Sequence, residues 1–169
     1  MKYCGIILAK NDSKRLPHKN FLEINGKKMF EYAYEAISEV IGEENVFFST
    51  DHEYYKNRPP AASLPDEPLF QVIKWAYKCM PKRYDAIINI MANCPEITAK
   101  DVKRAIRAFE KLNVKELRSF NLDGSESGLI IVKEDYLLQK HEISTYQGAI
   151  MIKSNEIHTK KDLELCHIS

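Results

Sequence analysis

The chain has 169 residues, 44% of them hydrophobic and 29% charged, which suits one globular domain, residues 1–169, with a sizeable core. Its formal net charge of +1 implies no broad basic face and argues against a dedicated nucleic-acid binder. The opening apolar run stops at Ala9, too short for a membrane span and without a small-residue cleavage site, so a cytoplasmic protein with no membrane partner is expected. Cys4, Cys79, Cys94 and Cys166 form no C-x-x-C pair, so reduced thiols are expected rather than structural zinc.

Tyr3 to Ala9 reads as a buried parallel strand. A polar, basic loop follows to Asn20, and Asn25-Gly26 marks a turn. Met29, Phe30, Ala33, Ala36, Ile37, Val40 and Ile41 recur at helical spacing, with Gly42 as the stop. Val46 to Ser49 predicts a second strand, and Arg58-Pro59-Pro60 interrupts structure. Asp66 suits the N-cap of a helix whose inner face is Leu69, Val72, Ile73, Ala76 and Met80. Ala86 to Met91 is a third buried strand. Thr98 with Asp101 resembles a capping box opening a helix over Val102, Ala105, Ile106, Phe109 and Leu112, and Thr159 with Asp162 repeats the device. Strand candidates between them are Lys115 to Phe120, Leu129 to Val132 and Ala149 to Ile152. The alternation predicts an α/β fold: a Rossmann-like, mostly parallel sheet with helices on both faces.

Ligands of open parallel sheets bind outside the carboxyl ends of the strands, so the loop after Ala9 is the first place to look. From Leu8 to Asn20 it reads LAKNDSKRLPHKN, with cations at Lys10, Lys14, Arg15 and Lys19 and a hydroxyl at Ser13. Lysine and arginine neutralise phosphate oxygens, and backbone N–H groups add donors, so the loop suits a triphosphate. It has no glycine pattern of the Walker or dinucleotide kind. On charge alone it reads equally as a solvated basic loop.

The order of residues resembles the signature loop of the CMP-sialic acid (acylneuraminate), CMP-ulosonate and related sugar cytidylyltransferases. Ser13, Lys14, Leu16, Pro17, Lys19 and Asn20 carry the match. Asn25-Gly26-Lys27, Ser49-Thr50-Asp51, Arg58-Pro59 and Tyr84-Asp85 continue it in the family's order, most strongly over residues 1–110. The resemblance implies a nucleotide-diphospho-sugar transferase-like fold and a CTP-dependent enzyme. In such enzymes the hydroxyl of an acidic sugar attacks the α-phosphate of CTP, pyrophosphate leaves, and a CMP-sugar forms with Mg²⁺ as cofactor. By position, Lys10, Ser13, Lys14, Arg15 and Lys19 would hold the phosphates as the catalytic set. Leu8, Ala9, Asn11, Asn20 and Arg58 would surround the nucleoside. Asn93 and Cys94 would lie near the acceptor sugar, and the family's homodimer is the implied assembly.

Several positions depart from that pattern. Lys10 stands where an arginine is usual, and Asn11-Asp12 replaces a glycine-containing pair. Met91 stands where a glutamine often reaches the sugar, and methionine offers no amide hydrogen bonds. Glu156-Ile157-His158 occupies the place of an Asp-x-Asp metal pair, leaving Glu156 as the metal candidate, and imidazole does not suit a hard cation. Phe120 runs through Asp123-Gly124 almost directly to Leu129, where the family has a long segment that contributes acceptor contacts and dimer interface. The departures favour an alternative, a catalytically impaired nucleotide-binding or structural domain of the same fold. A nucleotidyltransferase acting on a sugar phosphate is a third reading, disfavoured by the missing glycine-rich loop.

Overall fold

In the computed structural model, the structure describes residues 1–11, 13–51, 68–139, 146–166 and 168. In chain order these form β1 (Tyr3–Leu8), the short hairpin strands β2 (Glu23–Ile24) and β3 (Lys27–Lys28), α1 (Met29–Ile41), β4 (Val46–Ser49) and α2 (Leu69–Lys78). Then come β5 (Ala86–Ile90), α3 (Ala99–Leu112), β6 (Glu116–Phe120), β7 (Glu126–Lys133), α4 (Glu134–Leu138), β8 (Gln147–Met151) and α5 (Lys160–Leu165).

The helix boundaries follow local chemistry. Gly42 adopts φ 86°, open to glycine without a Cβ penalty, and its N–H closes α1 on Ser38 O at 2.9 Å. Thr98 and Asp101 cap α3 reciprocally, as do Thr159 and Asp162 at α5, satisfying N–H groups that have no partner within the helix. Pro68 immediately precedes α2, where its missing N–H costs nothing. The expected cap Asp66 lies outside the described residues. Met80 is buried but falls beyond the end of α2.

The main sheet has the order β4-β1-β5-β7-β6-β8. β1 pairs in parallel with β4 and β5, and β6 in parallel with β8. β7 is antiparallel to both neighbours. Its direction has a local cause: Asn121 N–H bonds Ser125 O at 2.8 Å, so β6 and β7 join through a tight turn that leaves no room for a crossover. The expected strand at Leu129–Val132 is thus the middle of a longer hairpin arm.

Ala33, Ala36 and Ile37 of α1 and Val102, Ala105 and Phe109 of α3 pack on one sheet face with Ile7, Ile88 and Ile90. Ile73, Ala76 and Tyr77 of α2 and Leu137 of α4 cover the other with Ile6 and Ile87. Side chains alternate along a strand, so each apolar strand feeds both layers. No helix among the described residues is long and apolar enough to cross a membrane.

Candidate active site

At the carboxyl ends of β1, β4 and β5, on the α2 side, lies a cavity of about 370 Å³. Leu8, Leu69 and Val72 form its apolar walls, and Ser49 and Asn89 supply polar groups from the strands. Lys10, Ser13, Lys19 and Asn20 reach it from the loop, and Met91, Ala92 and Asn93 from the turn after β5.

Backbone bonds hold the loop's two ends. Ala9 N–H bonds Ser49 O at 3.0 Å, and the Thr50 hydroxyl donates to Ala9 O at 2.6 Å. Asp51 accepts from Asn11 N–H at 2.6 Å, so it acts as a loop clasp at the end of β4. Buried Asn20 donates its amide to Lys10 O at 3.0 Å, tying the last residue of the basic stretch to the first. His18 takes a left-handed φ of 54° and its ring meets the Asn11 side-chain oxygen at 2.8 Å.

Of the residues singled out by sequence, Leu8, Ala9, Lys10, Ser13, Lys19, Asn20 and Asn93 converge on this cavity. Lys14 and Arg15 are exposed and do not line it, and Asn11 is spent on the loop's own bonds. Arg58 and Asp12 lie outside the described residues. Cys94 requires a correction. Its side chain is 0% exposed, packed behind the turn in the α1–α3 core, and does not reach the cavity. Burial and the charge of Glu156 both push its thiol well above the ordinary range, so it is an inert core group. Asn93 lines the cavity while its amide donates to Ile157 O at 3.3 Å.

Lys19 is half-buried beside the cavity. Desolvation lowers its pKa from the ordinary lysine value, and the charge of Glu156 opposes that shift. The loop therefore holds a poorly hydrated cation next to space that an anion would fill.

Over residues 4–65 the chain matches the family described as Cytidylyltransferase. This stretch carries the cytidylyltransferase pattern. The chain is 29% identical over 121 residues to the 3-deoxy-manno-octulosonate cytidylyltransferase 2 of Hydrogenovibrio crunogenus, covering 65% of this chain and 48% of that one. It is 31% identical over 119 residues to the 8-amino-3,8-dideoxy-manno-octulosonate cytidylyltransferase of a Shewanella species, covering 63% and 46%. The chain thus spans about half the length of the curated relatives it matches. Its fold is that of the solved CMP:2-keto-3-deoxy-manno-octonic acid synthetase complexed with CTP, with a TM-score of 0.78 at 16% identity over 98% of this chain and 96% of the other.

The metal candidate Glu156 lies apart from this cavity. Glu156 does not line the cavity; its carboxylate meets His158 Nε2 at 2.9 Å in a separate hollow beside Asp162. Asp162 is itself occupied by the N–H groups of His158 and Thr159, which hold its carboxyl below the usual range. Among the described residues no group of three or more histidine, cysteine or carboxylate side chains is placed to hold a metal ion. Magnesium prefers oxygen ligands in octahedral array, and one carboxylate engaged by an imidazole does not fit that need.

Ser49, Leu69, Val72 and Asn89 line the cavity but were not legible as site residues in the sequence. Leu69 and Val72 read as core positions of a helix, but both are only partly buried: in the first turn of α2 the apolar face borders the cavity. Asn89 did leave a trace. It is the single polar residue in the strand Ala86-Ile87-Ile88-Asn89-Ile90, whose every position is buried.

Proposed function

We propose that this chain binds CTP in the cavity at the ends of β1, β4 and β5 and transfers CMP to an acidic ulosonic sugar. The observation that carries this reading is the convergence of Lys10 and Lys19 with Ser13 on a cavity that also has apolar walls, in the loop that matches the cytidylyltransferases. A planar base suits the Leu8, Leu69 and Val72 walls, and a triphosphate suits the two ammonium groups. The relatives' names favour an octulosonate as acceptor over a sialic acid.

In the proposed reaction a sugar hydroxyl oxygen bonds the α-phosphorus and gives up its proton to solvent, the bond from that phosphorus to the bridging oxygen of the β-phosphate breaks, and pyrophosphate leaves. Lys10 and Lys19 neutralise charge on the phosphates, and Asn20 holds Lys10's backbone in place. The catalytic contribution of such a site is positioning and charge neutralisation. Magnesium remains an expectation from the family resemblance, and the steps here rest on the side-chain cations alone.

A second reading, nucleotide binding without turnover, is favoured by the Glu156–His158 pairing and by Met91 on the cavity wall. Both readings meet one experiment. CTP and CMP are expected to raise the melting temperature more than ATP or GTP, because binding to the folded state alone stabilises it. Pyrophosphate release from CTP is expected with a 3-deoxy-octulosonate, and turnover on N-acetylneuraminate is expected below about 1 s⁻¹, the lower end of ordinary enzymes. Equal stabilisation by purine nucleotides removes the cytidine assignment. Nucleotide binding with no pyrophosphate release for any ulosonic acid selects the second reading.

A further inference from the structure

Asn89 lies in β5, one of the three strands whose ends border the cavity, and is 1% exposed. Its Nδ2 donates to Ile6 O in the adjacent strand at 2.8 Å. A carbonyl oxygen only accepts, so this bond fixes which way the amide is turned. The other amide atom, Oδ1, has no hydrogen-bond partner among the described residues. Natural cores rarely keep such a group, because a desolvated acceptor without a donor is costly. Asn89 also lines the cavity, on the α2 side with Leu8, Leu69 and Val72, whereas Lys10 and Lys19 come from the loop.

We infer that Asn89 Oδ1 reads the nucleobase, accepting a hydrogen bond from the 4-amino group of cytosine. This inference rests on the proposed nucleotide reading and adds a specificity-determining residue to it. With the triphosphate at Lys10 and Lys19, the base lies in the apolar part of the slot, above the buried acceptor. Cytosine presents an N–H donor at position 4. Uracil presents a carbonyl there, which would set two acceptors against each other in a desolvated site. Ribose hydroxyls both donate and accept, so they would not discriminate in this way. A site built to hydrogen-bond one group rejects the analogue lacking it far more strongly than an apolar pocket does.

The test compares CTP, UTP and the triphosphate of the 4-deamino base 2-pyrimidinone by calorimetric titration, on the unaltered chain and on Asn89→Leu. For the unaltered chain, CTP is expected to bind at least about tenfold more tightly than either analogue, the scale of one buried hydrogen bond left unmade. Asn89→Leu is expected to bring CTP and UTP within about twofold of each other while retaining triphosphate binding, since both ammonium groups remain. The analogue comparison needs no substitution and stands even where the variant fails to fold. CTP binding with equal affinity for the 2-pyrimidinone nucleotide overturns the inference and leaves the nucleotide reading intact. An undiminished CTP preference in folded Asn89→Leu does the same. No binding of any nucleotide by the unaltered chain overturns the nucleotide reading, and this inference with it.

Discussion

Gly128→Ala is expected to destabilise the fold by about 2–5 kcal/mol, combining a left-handed backbone penalty with overpacking of the core. Gly128 sits within β7 at φ 89°, a conformation that L side chains rarely adopt. A Cβ there would stand 2.3 Å from Cys94 Sγ and 3.1 Å from Cys94 Cβ. Cys94 cannot withdraw easily, because it is wholly enclosed by the α1–α3 core. The glycine also accepts from Met91 N–H at 2.9 Å, so it seats the turn that carries Met91, Ala92 and Asn93 into the cavity. Stability and nucleotide binding should therefore fall together. Denaturant unfolding measures the first, as a lower midpoint at constant slope. Adding Cys94→Ala removes the sulfur and should recover part of the loss, because contacting residues are energetically coupled. A Gly128→Ala midpoint indistinguishable from the parent would show that the close approach is not real.

Lys19→Ala is expected to weaken CTP binding by about 1.5–3 kcal/mol, the range for a hydrogen bond to a charged group. His18→Ala should cost much less. Its ring serves the exposed loop through Asn11 and does not line the cavity, whereas Lys19 does. Calorimetric titration of both variants with CTP decides the matter, and similar losses would sink the assignment of Lys19 to the phosphates. The pH dependence gives an independent check. Burial lowers the Lys19 pKa in the free protein, so its charge is present at low pH and is lost on raising pH sooner than for an ordinary lysine. CTP affinity should accordingly decline as pH rises through that lowered value. Above it, binding should take up a proton, because the triphosphate favours the ammonium form. Lys19→Ala should abolish this alkaline decline. Persistence of the decline in the variant would assign it to another group.

Much of this architecture was legible in the chain itself. Ile6, Ile7, Ile87 and Ile88 are apolar at consecutive positions because their strands are covered on both faces, which only the middle of an α/β sheet requires. Thr98 with Asp101, and Thr159 with Asp162, announced two helix starts, because cap chemistry acts over three residues and needs no distant partner. Lys10, Ser13, Lys19 and Asn20 were legible for a similar reason: they share one short loop, and such a loop at the end of a parallel strand faces the ligand side.

Tertiary structure decided the rest, wherever residues far apart in sequence had to meet. Residue type and spacing do not reveal that Cys94 turns into the core against Gly128 while Asn93 beside it faces the cavity. Nor do they reveal that Lys14 and Arg15 are exposed and do not line the cavity although they belong to the same basic run as Lys19. Glu156 was picked out by its place before the last helix, but its carboxylate meets His158 two residues on and lines a separate hollow rather than the cavity. Asn89 shows the division most clearly. The sequence by itself determined that a polar side chain interrupts a buried strand. Only the packing of β1 against β5, which turns its nitrogen to Ile6 O and leaves its oxygen without a partner among the described residues, and the opening left beside α2 decided that this buried residue also lines the cavity.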